Sequence, residues 1–271
     1  YFTCGITKGS NMFQYFNSLK RSKYILEMLV FRDIFSKYKK SILGVAWSMI
    51  TPISMVGVIG LVYSIVFGIP LITFVPYLFS GLTPWFFISG AIDSGTSSYI
   101  IAEGFITQTK IDTEIFPLRM VLGAFINYLF MSVAYFLVYA LIKPDAFNIN
   151  MLLYIPGSII IFVFCWGVSN IVSLINLYIR DYAHLQSILL QVLFYITPVI
   201  YLPEVMDKRG FSGIYKFNPL YYMTDIIRQS MLGSMEIKVF MWVIASAIAL
   251  FVFLISIYFT RKIGRNIVYR F

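Results

Sequence analysis

Charged side chains are scarce in this chain: Asp, Glu, Lys and Arg make up 12% of its 271 residues. A soluble globular domain carries about 25%. With 59% of the residues hydrophobic, so little charge cannot cover the apolar surface in water, and part of the solvent must be lipid. Cysteine is also rare. Cys4 and Cys165 make no disulfide framework, and Cys165, inside an apolar run, reads as a small buried hydrophobe. The single histidine, His184, reads as a packing or interface residue rather than a catalyst. There is no G-x-x-x-x-G-K-[ST] phosphate loop, no zinc-type Cys/His cluster and no nucleophile elbow. The chain is therefore expected to carry no catalytic residue, metal or cofactor of its own. Its formal net charge of +9 does not point to nucleic acid, because long uncharged apolar runs separate the basic clusters. Cytoplasmic flanks of membrane helices account for that charge better.

About 20 apolar residues cross the hydrocarbon core of a bilayer. Six runs qualify: 42–68 (with Pro52 inside), 76–101, 120–142, 151–177, 185–202 and 239–260. The second and fifth are the least regular. The second contains Pro76, Gly81, Pro84, Gly90 and Gly95, and it carries Asp93. The expected fold class is an all-α polytopic membrane protein. It has six transmembrane helices, an N-terminal amphipathic interface helix over 22–40, and short outer re-entrant helices between spans five and six. One transmembrane domain covers 22–271, behind an N-terminal tail over 1–21. Met12 is a plausible native start, so residues 1–11 are set aside from fold reasoning. No cleavable signal peptide is seen; the first apolar run is long enough to be retained as a span.

Lys and Arg set the orientation. Lys20, Arg21, Lys23, Arg32, Lys37, Lys39 and Lys40 precede the first span, and Arg261, Lys262, Arg265 and Arg270 follow the last. Lys110, Arg119 and Arg180 fall in the other loops of the same side. Both ends are expected in the cytoplasm.

Within the interface helix, Tyr24, Met28, Phe31, Phe35 and Tyr38 share one helical face. Such a face with a basic rim suits the headgroup boundary of an anionic leaflet. By pattern alone an amphipathic helix packed on protein fits as well; the direct run into a spanning helix favours the membrane. In the long outer loop, Asn218 can cap a helix, Pro219 suits its first position and Gly233 the residue past its end. Leu220, Met223, Ile227 and Met231 would form its apolar stripe. The stretch from Glu103 to Lys110 reads as a short cytoplasmic helix or as a plain solvated connector. Aromatics crowd the outer halves of the spans. Tyr63, Phe67, Trp85, Phe86 and Tyr195 belong either to an interfacial belt or to a conduit whose rings stack on sugar faces.

The order Arg32-Asp33, Lys37-Tyr38, Ser41, Leu43-Gly44, Trp47 and Pro52 resembles the start of the permease subunits of type-2 ABC transporters that export polysaccharides. The resemblance continues at Gly81–Phe87, Phe116-Pro117, Arg180-Asp181, Leu193–Tyr201, and from Asn218-Pro219-Leu220 to Arg228. Each motif alone is weak; their order and spacing together are specific. The resemblance implies a homodimer in the cytoplasmic membrane of a bacterium, bound to two copies of a separate ATPase chain that would hold ATP and magnesium. It implies a coupling helix containing Glu103, Phe105 and Lys110, and an outer gate containing Pro219, Tyr221, Tyr222 and Arg228. The cargo would be a glycan on a lipid: O-antigen, teichoic acid or capsule. Arg32, Lys37, Lys39 and Lys40 would then either attract its anionic headgroup to a lateral entrance or simply anchor the helix. Rival readings are a drug- or lipid-exporting ABC permease and a stand-alone channel or secondary transporter, for which Asp93 would be the intramembrane carboxylate.

Overall fold

A computed structural model describes residues 12–39, 44–109, 111–233 and 236–263. Among them every regular element is helical. Two helices lead the chain, α1 (Met12–Arg21) and α2 (Lys23–Tyr38), followed by α3 (Trp47–Phe67) and α4 (Leu71–Thr96). Two short helices, α5 (Ser98–Ile101) and α6 (Glu103–Gln108), lead into α7 (Ile115–Ile142). Then come α8 (Tyr154–Tyr178) and α9 (Tyr182–Ile196). Next along the chain lie α10 (Pro203–Lys208), α11 (Ser212–Lys216) and α12 (Pro219–Leu232), and α13 (Val239–Ile263) closes the described chain.

Among the described residues, five helices are long and apolar enough to cross a membrane: α3, α4, α7, α8 with the turn before it, and α13. The fifth expected run, 185–202, is not one helix of that length. The 15 residues of α9 reach about 22 Å at 1.5 Å per residue. The helix stops where Thr197 turns extended ahead of Pro198, because the proline ring crowds an α-helical residue before it. The second span starts earlier than its prolines suggest. Pro76 and Pro84 both lie inside α4; a membrane helix tolerates them when neighbours satisfy the freed carbonyls.

The expected tail before residue 22 is also corrected. Residues 12–21 form α1, and Tyr15 on it is 0% exposed. Its ring lies 6.0 Å from that of Trp166, and its hydroxyl accepts a 3.1 Å hydrogen bond from Asn170 Nδ2. The signal was there to read: Met12, Tyr15, Phe16 and Leu19 follow i, i+3, i+4, i+7 spacing, one face of a helix. Replacing Tyr15 by Phe is expected to cost about 1–2 kcal/mol, the worth of a buried hydrogen bond whose partner stays buried. Thermal unfolding in detergent would read this as a lower midpoint with unchanged oligomeric mass.

The centre of the bundle is α4, packed against α3, α7, α8, α9 and α12. Small residues set the closest approaches. A Cβ on Gly167 of α8 would sit 2.9 Å from the backbone N and Cα of Phe253 on α13. One on Gly95 of α4 would sit 2.6 Å from Ser169 Cβ on α8. Contacts of this kind hold membrane helices together where lipid gives no hydrophobic drive between them.

Candidate functional site

The interface helix α2 is apolar on two sides. Leu26 and Leu29 are buried against the segment that holds Ala102, Ile106 and Phe116. The stripe read from the sequence, Tyr24, Met28, Phe31 and Phe35, points the other way and is exposed; the side chain of Tyr38 is outside the described residues. Among the described residues no other helix covers this stripe, and an exposed apolar face of that size suits a bilayer surface.

Polar contacts fasten the N-terminal helices to the loop between α4 and α7. Arg21 pairs with Asp112, and Ser22 Oγ donates to the same carboxylate at 3.0 Å. The Arg32 guanidinium lies 5.6 Å from the centre of the Phe105 ring on α6. Asp33 accepts two hydrogen bonds from Arg119 near the start of α7, 2.6 Å from Nε and 2.7 Å from Nη2. This fork geometry fixes orientation as well as distance. One turn on, Lys37 Nζ donates to Asn127 Oδ1 at 3.2 Å, and Ser48 Oγ approaches the same oxygen at 3.4 Å. The α2 helix is thus held along α7 from Asp33 to Lys37. At the start of α7, burial pushes the Glu114 carboxyl above the usual carboxylate range; the Arg261 guanidinium, 3.9 Å away, opposes that shift.

Of the expected headgroup residues, Arg32, Lys37 and Lys39 are exposed at the end of α2, while Lys40 lies outside the described residues. Lys39 Nζ sits 5.9 Å from the Phe35 ring centre. Of the expected coupling residues, Glu103 is exposed on α6 and Phe105 half-buried; Lys110 lies outside the described residues. Arg119, Asn127 and Asp112 were not singled out as functional from the sequence. Arg119 served only as a marker of side, and its partner is 86 residues away.

Between α9 and α13, Asn218 caps α12 by accepting from the Leu220 amide at 2.9 Å, Pro219 occupies the first turn, and Gly233 takes φ +59° just past the end. Leu220, Met223, Ile227 and Met231 are all buried. Tyr221 is buried, Tyr222 half-buried, and Arg228 is 1% exposed. Arg228 donates to the Val199 carbonyl at 2.8 Å and lies 4.3 Å from the centre of the Tyr77 ring on α4. Gly81 leaves the room that the guanidinium fills. On α11, burial and then the 2.7 Å hydrogen bond to Asp207 raise the Tyr215 phenol above its usual range.

The aromatic set is not brought together. Trp85 is buried, its ring 5.2 Å from that of Phe194. Tyr63 stacks on Phe74, Tyr195 is 66% exposed, and Phe86 lines a groove between α3 and α7. Phe67 ends α3, but its side chain is outside the described residues. Asp93 is an exposed carboxylate on the last turn of α4, accepting from Gln186 Nε2 of α9 at 2.8 Å.

Comparison with known proteins identifies a family. An O-antigen export system permease protein RfbA of Klebsiella pneumoniae is 27% identical over 206 residues, 74% of this chain and 78% of that protein. The protein of the same name in Myxococcus xanthus is 25% identical over 210 residues, 77% of this chain and 80% of its own length. The profile of the ABC-2 type transporter family matches residues 25–232, from α2 through α12. The chain therefore belongs to the ABC-2 type transporter family, as a membrane-spanning member of it.

Proposed function

We propose that this chain is the permease subunit of an ATP-driven exporter that moves lipid-linked polysaccharide, an O-antigen-like glycan, across the bacterial cytoplasmic membrane. The observation that carries the reading is the family match over 25–232 together with relatives named as O-antigen export permeases over about three quarters of the chain. The chain works as a homodimer, with both termini cytoplasmic and two copies of a separate ATPase subunit below it. ATP and magnesium belong to that subunit. Each copy crosses the membrane six times, the fifth crossing being made by α9 and the turn that follows it. The outer helices α10–α12 form the extracellular gate.

Coupling runs through α6. Its support is mechanical: α6 sits between two spans and touches α2 through Arg32 and Phe105. Motion of the ATPase at Glu103 and Phe105 reaches the interface helix as well as α4 and α7. The exposed cations Arg32, Lys37 and Lys39 then gather anionic headgroups at the entrance, each contributing about 1 kcal/mol near an anionic leaflet.

Deleting the gene is expected to leave lipid-linked polymer inside the cell, and restoring the chain returns it to the surface. Immunoblotting of intact and lysed cells for the glycan reads both. Normal surface glycan in the deletion strain refutes the reading.

A further inference from the structure

Asp33 satisfies only one edge of the Arg119 guanidinium. Arg119 is 5% exposed, and its Nη1 has no hydrogen-bond partner among the described residues. A buried donor without an acceptor costs about 1–3 kcal/mol, more when charged, so a ligand that satisfies it gains that much. Arg119 lines a cavity of about 260 Å³ together with Asp33, Ser94 and Asn127. A second cavity of about 430 Å³ is lined by Lys37, Asn127, Trp47, Pro52 and Met55. The two share Phe86, Asn127 and Met131. They form one groove between the end of α2, the start of α3, and the facing sides of α4 and α7.

The groove has two chemistries. At the Arg119 end are a guanidinium, a carboxylate and an amide; Lys37 adds an ammonium from the second cavity, so the groove as a whole carries one net positive charge. At the other end Trp47, Pro52, Met55 and Phe86 offer apolar walls. Gly90 and Gly123 line the Arg119 end, and a Cβ on either meets nothing within 4 Å, so the groove is open beside them. An anionic, oxygen-rich head on an apolar chain matches both ends, and a guanidinium favours a phosphate for its bidentate geometry.

We propose that this groove binds the phosphate headgroup of a lipid from the cytoplasmic leaflet, with the Arg119 guanidinium as the recognising group once its buried Nη1 turns into the groove, and the chain lying along Trp47, Pro52 and Met55. The inference deepens the headgroup reading above. It moves recognition from the exposed rim of α2 to a buried residue of α7, and it shares with that reading only the leaflet from which the ligand comes.

The test uses the purified full chain in detergent, titrated with phosphatidylglycerol, a polyprenyl diphosphate and neutral diacylglycerol, with bound lipid counted by native mass spectrometry. The expected result is one phosphate lipid per chain, with diacylglycerol at least about tenfold weaker. Gly123→Leu fills the open space without displacing a neighbour, and should weaken phosphate-lipid binding about tenfold at an unchanged unfolding midpoint. Arg119→Lys keeps the charge but loses the fork, and should also weaken it. The surface variant Lys23→Gln, at a residue that lines neither cavity, should leave it within about twofold. Preference for the diphosphate assigns the groove to the cargo; equal or better binding of phosphatidylglycerol assigns it to a leaflet lipid. If Gly123→Leu binds as tightly as the unchanged chain, or diacylglycerol binds as well as the phosphate lipids, the proposal is overturned. Binding is read without the ATPase or export, so its failure is separate from failure of the proposed function.

Discussion

Gly81→Ala is expected to lower stability by about 3 kcal/mol and to stop export. The added methyl would meet Arg228 Nη2 well inside contact distance and the Val199 carbonyl oxygen at 2.7 Å. The first neighbour is the end of a flexible side chain, but the second is backbone. Moving Arg228 aside gives up its 2.8 Å hydrogen bond to that same carbonyl and its place over Tyr77. Overpacking a tight site costs about 1–3 kcal/mol, and stranding a buried polar group costs about as much again. Against a total stability of about 5–15 kcal/mol this is a large share. Gly57→Ala is the control. Its Cβ meets nothing within 4 Å, and alanine in a helix gains up to about 1 kcal/mol over glycine. Relieving only the side-chain contact, with Gly81→Ala/Arg228→Met, should not restore the midpoint, because Val199 remains in the way. Equal midpoints for Gly81→Ala and Gly57→Ala in detergent would show that the outer helices are not held at this point.

The second large effect is expected from Asp33→Asn. Arg119 is 5% exposed and Asp33, at 37%, is the only carboxylate paired with it among the described residues. Removing one partner of a fully buried pair costs about 3–5 kcal/mol; with Asp33 part-exposed and solvated, about 2 kcal/mol is the better figure. The neighbouring Arg32→Gln, on a side chain 52% exposed, should change stability by less than about 1 kcal/mol. The pair also holds α2 along α7, so Asp33→Asn should reduce export beyond its effect on the folded amount. The double replacement Asp33→Arg/Arg119→Asp should recover part of the stability if the charges act as a pair. Quantifying folded protein by fluorescence-detected gel filtration, beside surface glycan, separates the two effects. An Asp33→Asn chain with unchanged midpoint and export would remove the clamp.

The parts of this molecule written in neighbouring residues were legible from the sequence. Asn218, Pro219 and Gly233 lie within one helix length of each other, and their cap and stop chemistry is local, so α12 is found where expected. Five of the apolar runs become spans because lipid demands a long uncharged helix and little else has that length. Where the reading slipped, the signal was weak or ambiguous. Pro76 looked like a boundary but lies inside α4, and hydropathy alone ran α9 on through Pro198. The clamp was not legible. Asp33 was noted as part of a motif and Arg119 as a cytoplasmic marker, and no pattern in one sequence pairs residues 86 apart. The same holds for Tyr15 with Asn170, and for the room that Gly81 leaves for Arg228. The resemblance named a family, but the residues that join α2 to α7 came from the fold.

At Gly167 the backbones of α8 and α13 come so close that a single methyl would not fit between them. Two helices in such contact have no slack for sliding and behave as one stiff post. By contrast α9 buries only Gln186 and Leu190 against its own chain. Freedom to move is therefore unevenly distributed: a probe on α13 should report a fixed frame, and one on α9 should report whatever rearranges around it.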